Sequence, residues 1–436
     1  MNQRGLGGAV LVLLVALAGC GDGLRGVIGD SAPRDRYETA LERSGLGGSV
    51  LVRDWQTAAR RAIDSAPVYE PPFLESGYLD PARPEARGYR ISLRRGQRLN
   101  VEFSLRGVDA APLFAELLEL PQDTTFPDRL ASADSGEAVL SHEARRDGAV
   151  ILLIQPELMS GGRYEVRARI GPSLAFPVGG ADARAIRSRF GADREGGRRQ
   201  HEGVDIFASR GTPVLAAAGG LARWVGENRL GGNVIMVRDR QRNEGHYYAH
   251  LDSQLISEGT IVEVGDTIGL VGNTGNARTT PPHLHFGIYA RGEGAVDPWP
   301  YLAPGDTAVP AIAADTSRLG EWWRVGGAGA RLAGRPGGED GRELPAGTVL
   351  RGVAGTGVWL RAELIDGTWG FVPASRVVPA AGLGVAPPGT VALERPDSTA
   401  VVVDTIAEGD RAVVMGRFGG FDLLQLEDGS SGWALR

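Results

Sequence analysis

The 436-residue sequence has no lysine, a single cysteine and few aromatic residues. All 47 basic residues are therefore arginines, which we attribute to coding bias rather than to selection for anion binding. One cysteine cannot form an intrachain disulfide. The net charge of -6 provides no basic surface, so we expect no nucleic-acid partner. What the chain has in abundance is glycine and proline, 65 and 26 residues, which favours short strands joined by many turns.

Long apolar runs are also missing. The run over residues 9–18 is too short to cross a bilayer but suits the core of a signal peptide. It ends in Leu17-Ala18-Gly19-Cys20, which resembles the bacterial lipobox, whose cysteine is lipidated and becomes the mature N-terminus. The resemblance predicts lipidation at Cys20 and a protein anchored in the cell envelope by acyl chains. If the source is a diderm, Gly21 favours the outer membrane, facing the periplasm. An ordinary secretory signal with an incidental cysteine is the alternative.

Five of the six histidines lie between residues 201 and 285. His283 and His285 alternate with apolar residues, which is typical of a strand and would place both imidazoles on one face. His201 and Asp205 are four residues apart before a β-prone stretch, so a loop entering a strand would again align them. A hydrolytic zinc site needs three such ligands and a fourth position for water. The residues alone leave open which of the two later histidines completes the set.

The motifs around these histidines occur in the order of a known family. They are His201-x-x-x-Asp205, Gly211-Thr-Pro-Val214, Gly219-Gly220, Gly232-Asn233-x-Ile235, Tyr248-Ala-His250-Leu251, Gly265-Asp266-x-Ile268-Gly269, Gly272-Asn-Thr-Gly275, His283-Leu-His-Phe-Gly287 and Asp297-Pro298. The segment from about residue 176 to 302 thereby resembles the LytM/lysostaphin-type peptidases of family M23. The resemblance implies that His201, Asp205 and His285 bind Zn²⁺ and that His250 and His283 are the catalytic pair. His246 has no counterpart in the motifs, and we interpret it as a nearby surface residue.

The resemblance implies a zinc metalloendopeptidase that hydrolyses peptide cross-links of bacterial peptidoglycan during cell-wall remodelling. One free histidine would take a proton from zinc-activated water, and the other would stabilise the tetrahedral state or protonate the leaving amine. Degenerate family members lack the ligands and activate other cell-wall hydrolases. This chain keeps all five positions, which favours the active peptidase. The alternative is a non-catalytic lipoprotein that activates or recruits other cell-wall hydrolases. Whether a protein activator switches the enzyme on stays open.

The sequence pattern of the N-terminal part predicts two small modules, a helical pair and a β-sandwich. Helical spacing over residues 36–43 and 52–63, with a glycine-rich break between them, indicates a helical pair. We expect this pair to pack on a neighbouring domain, and the alternative is a cap that inhibits the zinc cleft. A proline-rich stretch over residues 67–84 predicts a linker. From about residue 85 the alternation is that of half-buried strands and resembles a pre-peptidase C-terminal type of β-sandwich.

The C-terminal part contains one pattern twice. Gly347 precedes Asp366 by 19 positions, and Gly409 precedes Asp428 by the same number. Equal spacings indicate tandem copies of one fold, each with an Asp-Gly turn before a strand that begins with glycine and an aromatic residue. The pattern resembles bacterial SH3 domains, which we expect to bind peptidoglycan. The alternative is packing against the catalytic domain.

These interpretations predict a mainly β protein. Its centre would be an M23 peptidase β-sheet core of the barrel-sandwich hybrid type, with an N-terminal helical pair and β-sandwich and two C-terminal SH3-like barrels. The predicted divisions are 1–20 lipoprotein signal peptide, 21–35 tether, 36–84 helical segment and Pro-rich linker, 85–173 β-sandwich, 174–303 zinc peptidase domain, 304–320 linker, 321–380 first SH3-like domain and 384–436 second SH3-like domain.

Overall fold

The structure is a computed structural model that describes residues 32–106, 112–120, 126–133, 138–194, 196–306 and 308–436. The predicted signal peptide, Cys20 and most of the predicted tether lie outside these residues. The described chain is mostly β, as the sequence predicts. None of its described helices is both long enough and apolar enough to cross a membrane.

Two helices, Pro33–Arg43 and Val50–Asp64, open the described chain. Proline in the first turn suits the start of the first helix, and the Ser49 side chain caps the second by accepting a hydrogen bond from a backbone N–H. The buried face of the second helix has the i, i+3, i+4 spacing of an amphipathic helix and consists of Val52, Trp55, Ala59 and Ile63. Each helix therefore needs a partner surface.

That partner is the β-sandwich. The indole N–H of Trp55 donates to the carbonyl oxygen of Pro156 at 2.8 Å. Arg129 donates two hydrogen bonds, of 2.7 and 2.8 Å, to the carboxylate of Asp35 in the first helix. Ala59 and Ile63 belong to a hydrophobic cluster with Ile151 and other sandwich residues. The buried faces of both helices are thus covered by the sandwich, which agrees with the packing interpretation and gives no support to the cap.

The sandwich has two sheets whose inner residues form its core. The first sheet contains Val68–Tyr69, Arg87–Leu93, Leu113–Glu119, Arg129–Ser132 and Gly148–Pro156. The second contains Phe73–Leu79, Gln97–Arg106, Val139–Glu143 and Gly162–Pro172. The linker prediction is wrong for Phe73–Leu79, because this stretch is an inner strand with five of its seven residues buried. The prolines that suggested a linker lie on either side of it.

The second sandwich sheet continues into the C-terminal part. Phe73–Leu79 pairs with Gly162–Pro172 on one side and with Val349–Thr356 of the first repeat on the other. Glu75 in this strand is fully buried, and its carboxylate accepts hydrogen bonds from the hydroxyls of Tyr69, Tyr89 and Tyr164. Hydrogen bonding of this kind offsets the cost of burying a polar group. The sandwich and the first repeat therefore share one sheet.

The histidine-rich segment forms a separate ten-stranded sheet. Its strands are Ile186–Ser188, Val204–Phe207, Pro213–Leu215, Gly220–Asn228, Gly232–Asp239, Glu244–Gln254, Ile261–Val262, Thr267–Val271, His283–Ala290 and Gly294–Val296. A two-stranded hairpin of Asp193–Arg194 and Arg199–Gln200 precedes the second strand, and a short helix, Trp299–Leu302, follows the last. Val204–Phe207, His283–Ala290 and Glu244–Gln254 are neighbours in the sheet and run antiparallel.

The two C-terminal repeats have the same strand order. In the first repeat it is Gly341–Leu344, Ala330–Ala333, Trp369–Pro373, Trp359–Glu363 and Val349–Thr356, with Trp322–Val325 and Val377–Pro379 beyond. In the second it is Val402–Thr405, Val391–Leu393, Ser431–Leu435, Phe421–Gln425 and Val413–Phe418, with Gly384–Val385 beyond. The shared order supports the tandem repeat inferred from equal spacings. The barrel shape and the binding of peptidoglycan stay predictions.

A glycine in the shared sheet provides a test of this packing. A Cβ on Gly77 would lie 2.2 to 2.4 Å from atoms of the buried Tyr164 ring, whereas one on Gly171 would have no neighbour within 4 Å. We expect Gly77→Ala to lower the free energy of unfolding by about 1–3 kcal/mol, because an overpacked core must shift. Gly171→Ala, in a paired strand, is the control and should change it little. Equal urea midpoints for the two variants would contradict the packing described here.

Candidate metal centre

Two neighbouring antiparallel strands, Val204–Phe207 and His283–Ala290, supply most of the site. Asp205 lies directly opposite His285 in their register, and His283 is on the same face two residues earlier. The alternate residues of the second strand have no exposed surface and fill the core behind it: Leu284, Phe286 and Ile288. The period-two alternation thus decides which side chains face the cleft, in agreement with the sequence pattern.

His201, Asp205 and His285 converge. Their candidate ligand atoms all lie within 4.8 Å of one another. The Nε2 atom of His201 is 3.0 Å from Asp205 Oδ1 and 2.9 Å from Nδ1 of His285, and that nitrogen is 3.1 Å from the same oxygen. The structure therefore brings together the three residues for which the family resemblance implies zinc binding.

The chemistry of this cluster fits a divalent metal ion. Nδ1 of His201 is 2.9 Å from the carbonyl oxygen of Arg189, and a carbonyl can only accept a hydrogen bond. In the neutral ring Nδ1 therefore carries the proton, and Nε2 directs a lone pair at Asp205. Two lone pairs at this distance repel unless a cation or a proton lies between them. Imidazole nitrogen and carboxylate oxygen are ligands that zinc takes in hydrolytic sites, so these residues fit Zn²⁺.

A guanidinium holds the outer oxygen of Asp205. Nη2 of Arg194 donates to Asp205 Oδ2 at 2.7 Å and to Ser188 Oγ at 2.7 Å. Burial raises the pKa of Asp205, but the neighbouring rings of His201 and His285 lower it by more, so the net pKa lies well below its usual range. The carboxylate therefore stays ionised. Sequence reasoning did not single out Arg194 or Ser188, because the quoted motifs begin at His201.

His250 reaches the cleft through a β-bulge. In Glu244–Gln254, Ala249 lies opposite His285, so regular alternation would turn the next side chain away from the cleft. Instead, the register with the preceding strand, Gly232–Asp239, shifts at this point, and His250 has a φ of 64°. Its ring centroid lies 5.0 Å from that of His283 and 5.9 Å from that of His285. The bulge thus joins His250 to the cluster, and no periodic pattern could have predicted it.

Backbone carbonyls orient both free histidines in the same way. Nδ1 of His250 is 2.9 Å from the carbonyl oxygen of Thr274, and Nδ1 of His283 is 2.9 Å from that of Pro281. In each neutral ring Nδ1 must therefore be the donor, which leaves the Nε2 lone pair free. Burial lowers the pKa of His250 to about 4, and the nearby His285 and His283 add to the effect. This ring is therefore neutral near pH 7 and able to accept a proton.

The loop that supplies the Thr274 carbonyl depends on two glycines. Gly232 and Gly275 have φ values of 64° and 69°. A Cβ on Gly232 would lie 2.2 Å from Thr274 Oγ1, and one on Gly275 would lie 2.4 Å from Gly232 N. The Thr274 hydroxyl accepts from the N–H of Asn233 at 3.0 Å and donates to the carbonyl oxygen of Leu251 at 2.9 Å. The glycine motifs therefore place the carbonyl that orients His250.

The prediction that His246 is a surface residue is wrong. Its side chain is fully buried and packs against Phe286, with ring centroids 6.0 Å apart. Within the described chain its ring nitrogens have no hydrogen-bond partner, and Glu244 Oε2 lies 3.9 Å from Nε2. His246 precedes the bulge, so the ordinary alternation of the strand directs it into the core. It lies outside the cluster for that reason.

Aromatic residues flank the cluster on the same face. The Phe207 ring stacks on His283 with centroids 5.0 Å apart. The Tyr247 ring lies 6.1 Å from that of His285 and 6.1 Å from that of Tyr289. These residues were not predicted, although their strand positions share the parity of the cleft-facing histidines. The cleft therefore continues along a half-buried aromatic wall.

The segment that carries this site is similar in sequence to a known protein family. Residues 199–298 match the model of Peptidase family M23, and the match includes the three clustered residues and both free histidines. The chain contains an M23 peptidase domain. The motif resemblance found in the sequence is therefore confirmed, over a matched segment shorter than the predicted domain.

Relatives of the M23 domain include proteins with assigned activities. The L-Ala--D-Glu endopeptidase of Bacillus subtilis (strain 168) is 44% identical over 139 residues, which are 29% of this chain and 42% of that protein. The peptidoglycan DD-endopeptidase ShyC of Vibrio cholerae serotype O1 is 33% identical over 137 residues, 30% of this chain and 31% of the relative. The uncharacterized lipoprotein YgeR of Escherichia coli (strain K12) is 39% identical over 107 residues, 24% and 40% of the two chains. The chain spans less than half the length of each.

The buried His250 predicts a pH dependence of stability in the metal-free M23 domain. Its pKa falls from 6.5 to about 4 on folding, so the unfolded chain binds more protons between these values. The contribution of neutral His250 is complete above pH 6.5 and is lost as the pH falls towards 4. Between pH 7 and 4.5 we expect the chelator-treated protein to lose roughly 2–3 kcal/mol more stability than His250→Asn.

Asparagine is the matched replacement because it tolerates the positive φ at this position without an imidazole. Urea unfolding of both proteins across this pH range measures the difference. Identical pH dependence would show that His250 is not held neutral.

Proposed function

We propose that this protein is a zinc-dependent endopeptidase that hydrolyses peptide cross-links of bacterial peptidoglycan during cell-wall remodelling. The observation that carries the proposal is the convergence of His201, Asp205 and His285 beside two oriented free histidines, His250 and His283. The names of two relatives, a peptidoglycan DD-endopeptidase and an L-Ala--D-Glu endopeptidase, support the substrate class.

The ion would be held by His201 Nε2, Asp205 Oδ1 and His285 Nδ1, the three atoms that face one another. When bound, Zn²⁺ supplies Lewis acidity that lowers the pKa of water towards about 7 and polarises the scissile carbonyl. The Arg189 carbonyl fixes the tautomer of His201 in which Nε2 is the ligand atom.

His250 and His283 would move the protons. The free Nε2 of neutral His250 accepts a proton from the attacking water, and the ring can then return it to the amine nitrogen of the leaving group. Nε2 of His283 lies 3.9 Å from Asp205 Oδ1, so His283 lies at the edge of the cluster, where its ring would stabilise the tetrahedral state when Nε2 carries a proton. Its stacking on Phe207 and its bond to the Pro281 carbonyl limit its rotation. Both histidines are therefore held in fixed orientations beside the cluster.

The alternative is a non-catalytic lipoprotein that activates or recruits other cell-wall hydrolases. Degenerate sites lack ligands, whereas this one keeps three candidate ligands and two oriented imidazoles. An activator has no need of histidines whose free nitrogens converge in a cleft. The geometry therefore favours the enzyme.

Digestion of purified cross-linked muropeptide dimers tests the proposal. Zinc-loaded protein spanning residues 21–436 should convert dimers to monomers, and a chelator should abolish the conversion. His285→Ala should lose both zinc and activity. His283→Ala should keep zinc but lose about 10²–10³-fold in rate, because it removes the group that stabilises the tetrahedral state and none of the three ligands. Mass spectrometry identifies the bond that is cut.

Two outcomes would contradict the proposal that the protein is an enzyme. One is a His285→Ala variant that cleaves as fast as the parent. The other is a zinc-loaded parent that leaves dimers intact while it accelerates a separate cell-wall amidase, which is the behaviour of the alternative.

We further propose that the protein is held in the cell envelope by lipidation of Cys20 and that the tandem repeats bind peptidoglycan. The name of the lipoprotein relative and the lipobox resemblance support the anchor. If the source is a diderm, Gly21 favours the outer membrane.

Metabolic labelling with an alkyne fatty acid checks the anchor. The expressed parent should incorporate the label, and Cys20→Ser should not, because the thiol is the acceptor atom. Label that persists in Cys20→Ser would contradict lipidation at this residue.

A further inference from the structure

Asp205 presents its two oxygens to different partners. Oδ1 lies 3.0 Å from His201 Nε2 and 3.1 Å from His285 Nδ1, whereas Oδ2 accepts a hydrogen bond from Arg194 Nη2 at 2.7 Å. The Asp205 side chain is only 11% exposed, so water competes little for Oδ2. An oxygen held by a guanidinium in this way is not free to turn towards an ion on the other side of the carboxylate. The contact therefore selects Oδ1 as the oxygen offered to a metal.

Arg194 reaches a second ligand through Ser188. Its Nη2 atom also donates to Ser188 Oγ at 2.7 Å, and that oxygen lies 3.3 Å from His201 Nδ1. The backbone completes the frame, because His201 N–H donates to the carbonyl of Ala192 at 2.9 Å and its carbonyl accepts from Gly191 N–H at 2.8 Å. One guanidinium nitrogen thus contacts Asp205 directly and His201 through Ser188.

We propose that Arg194 is a positioning residue of the metal centre, which holds Asp205 as a one-oxygen ligand and the imidazole of His201 in its ligand orientation. Its positive charge also offsets the carboxylate, so a bound ion would keep more of its own charge for polarising a substrate. The inference rests on the zinc site of the proposed function but concerns a residue outside the ligand set. Ligand-supporting residues of this kind commonly contribute 10–100-fold to metal affinity.

An ordinary surface ion pair would not behave in this way. Arg184 and Asp182 form such a pair at 2.6 Å, but their side chains are 92% and 53% exposed. Pairs of that kind contribute little because water screens them. The Arg194 side chain is 31% exposed and its partner is nearly buried. Arg184→Gln is therefore a matched control that removes an arginine–aspartate pair from the same domain without touching the cluster.

The test compares Arg194→Gln, Arg194→Lys and Arg184→Gln in protein spanning residues 21–436. Competition with a chromophoric chelator should give a zinc dissociation constant about 10–100-fold higher for Arg194→Gln and unchanged for Arg184→Gln. Arg194→Lys should recover part of the loss, because it restores the charge but not the planar fork. In the cobalt-substituted proteins, the visible absorption of Arg194→Gln should weaken relative to the parent, because a freed Oδ2 can raise the coordination number.

Unchanged zinc affinity and an unchanged cobalt spectrum in Arg194→Gln would overturn the inference. An equal loss in Arg184→Gln would also overturn it, because the effect would then be one of general charge. If Arg194→Gln does not fold, as judged by circular dichroism of the metal-free protein, the same measurements on Arg194→Lys decide, with parental affinity and spectrum overturning the inference. If the parent protein binds no zinc, the proposed function is wrong. Failure of the proposed function can therefore be distinguished from failure of the inference about Arg194.

Discussion

The site depends on the pairing of two short antiparallel strands. Because side chains alternate along a strand, placing Asp205 opposite His285 fixes the face on which each cleft residue must lie. A one-residue slip would exchange the ligand face with the apolar face formed by Leu284 and Phe286. Burial of the apolar residues therefore also fixes the register of the polar ones. The hydrophobic core and the cluster of His201, Asp205 and His285 are both results of the same alternation.

One departure from the alternation completes the site. The bulge at His250 turns a side chain that would otherwise face the core towards His283 and His285. A positive φ at a non-glycine residue is strained. Here the hydrogen bond between the His250 ring and the Thr274 carbonyl offsets that strain, and the close approach of Gly232 and Gly275 places the carbonyl. Residue His246, only four positions earlier, has no such bulge and remains in the core. His246 and His250 lie on the same strand, and the backbone conformation decides that one faces the core and the other faces the cleft.

Much of this could be predicted from the sequence, for reasons that differ between features. Spacing indicated the His283–His285 face and the tandem repeat, because both follow from strict periods. The bulge at His250 and the burial of His246 could not be predicted in this way, since a bulge changes parity without changing composition. Phe73–Leu79 was mistaken for a linker because flanking prolines outweighed a short strand pattern. Its pairing with a repeat nearly 280 residues later is a tertiary contact that no local pattern encodes.

Arginine joins the modules around the peptidase domain, consistent with a chain that has no lysine. Arg242 of the peptidase sheet donates two hydrogen bonds, of 2.7 and 2.8 Å, to Glu143 of the sandwich. Arg95 of the sandwich donates to Glu293 at 3.1 Å, and a Cβ on the adjacent Gly96 would collide with the Tyr301 ring. The planar fork of arginine suits such paired contacts, in which a carboxylate accepts two bonds at once. The sandwich is thereby fixed against the peptidase domain at several points.

In the proposed function, three residues hold the metal ion while two histidines remain free. The most direct measurement is a crystal structure of the zinc-loaded protein with an anomalous difference map recorded at the zinc absorption edge. We expect one strong peak bonded to His201 Nε2, Asp205 Oδ1 and His285 Nδ1, with His250 and His283 nearby but not coordinated. A peak bonded to His250 or His283, or an ion bound away from Asp205, would contradict it.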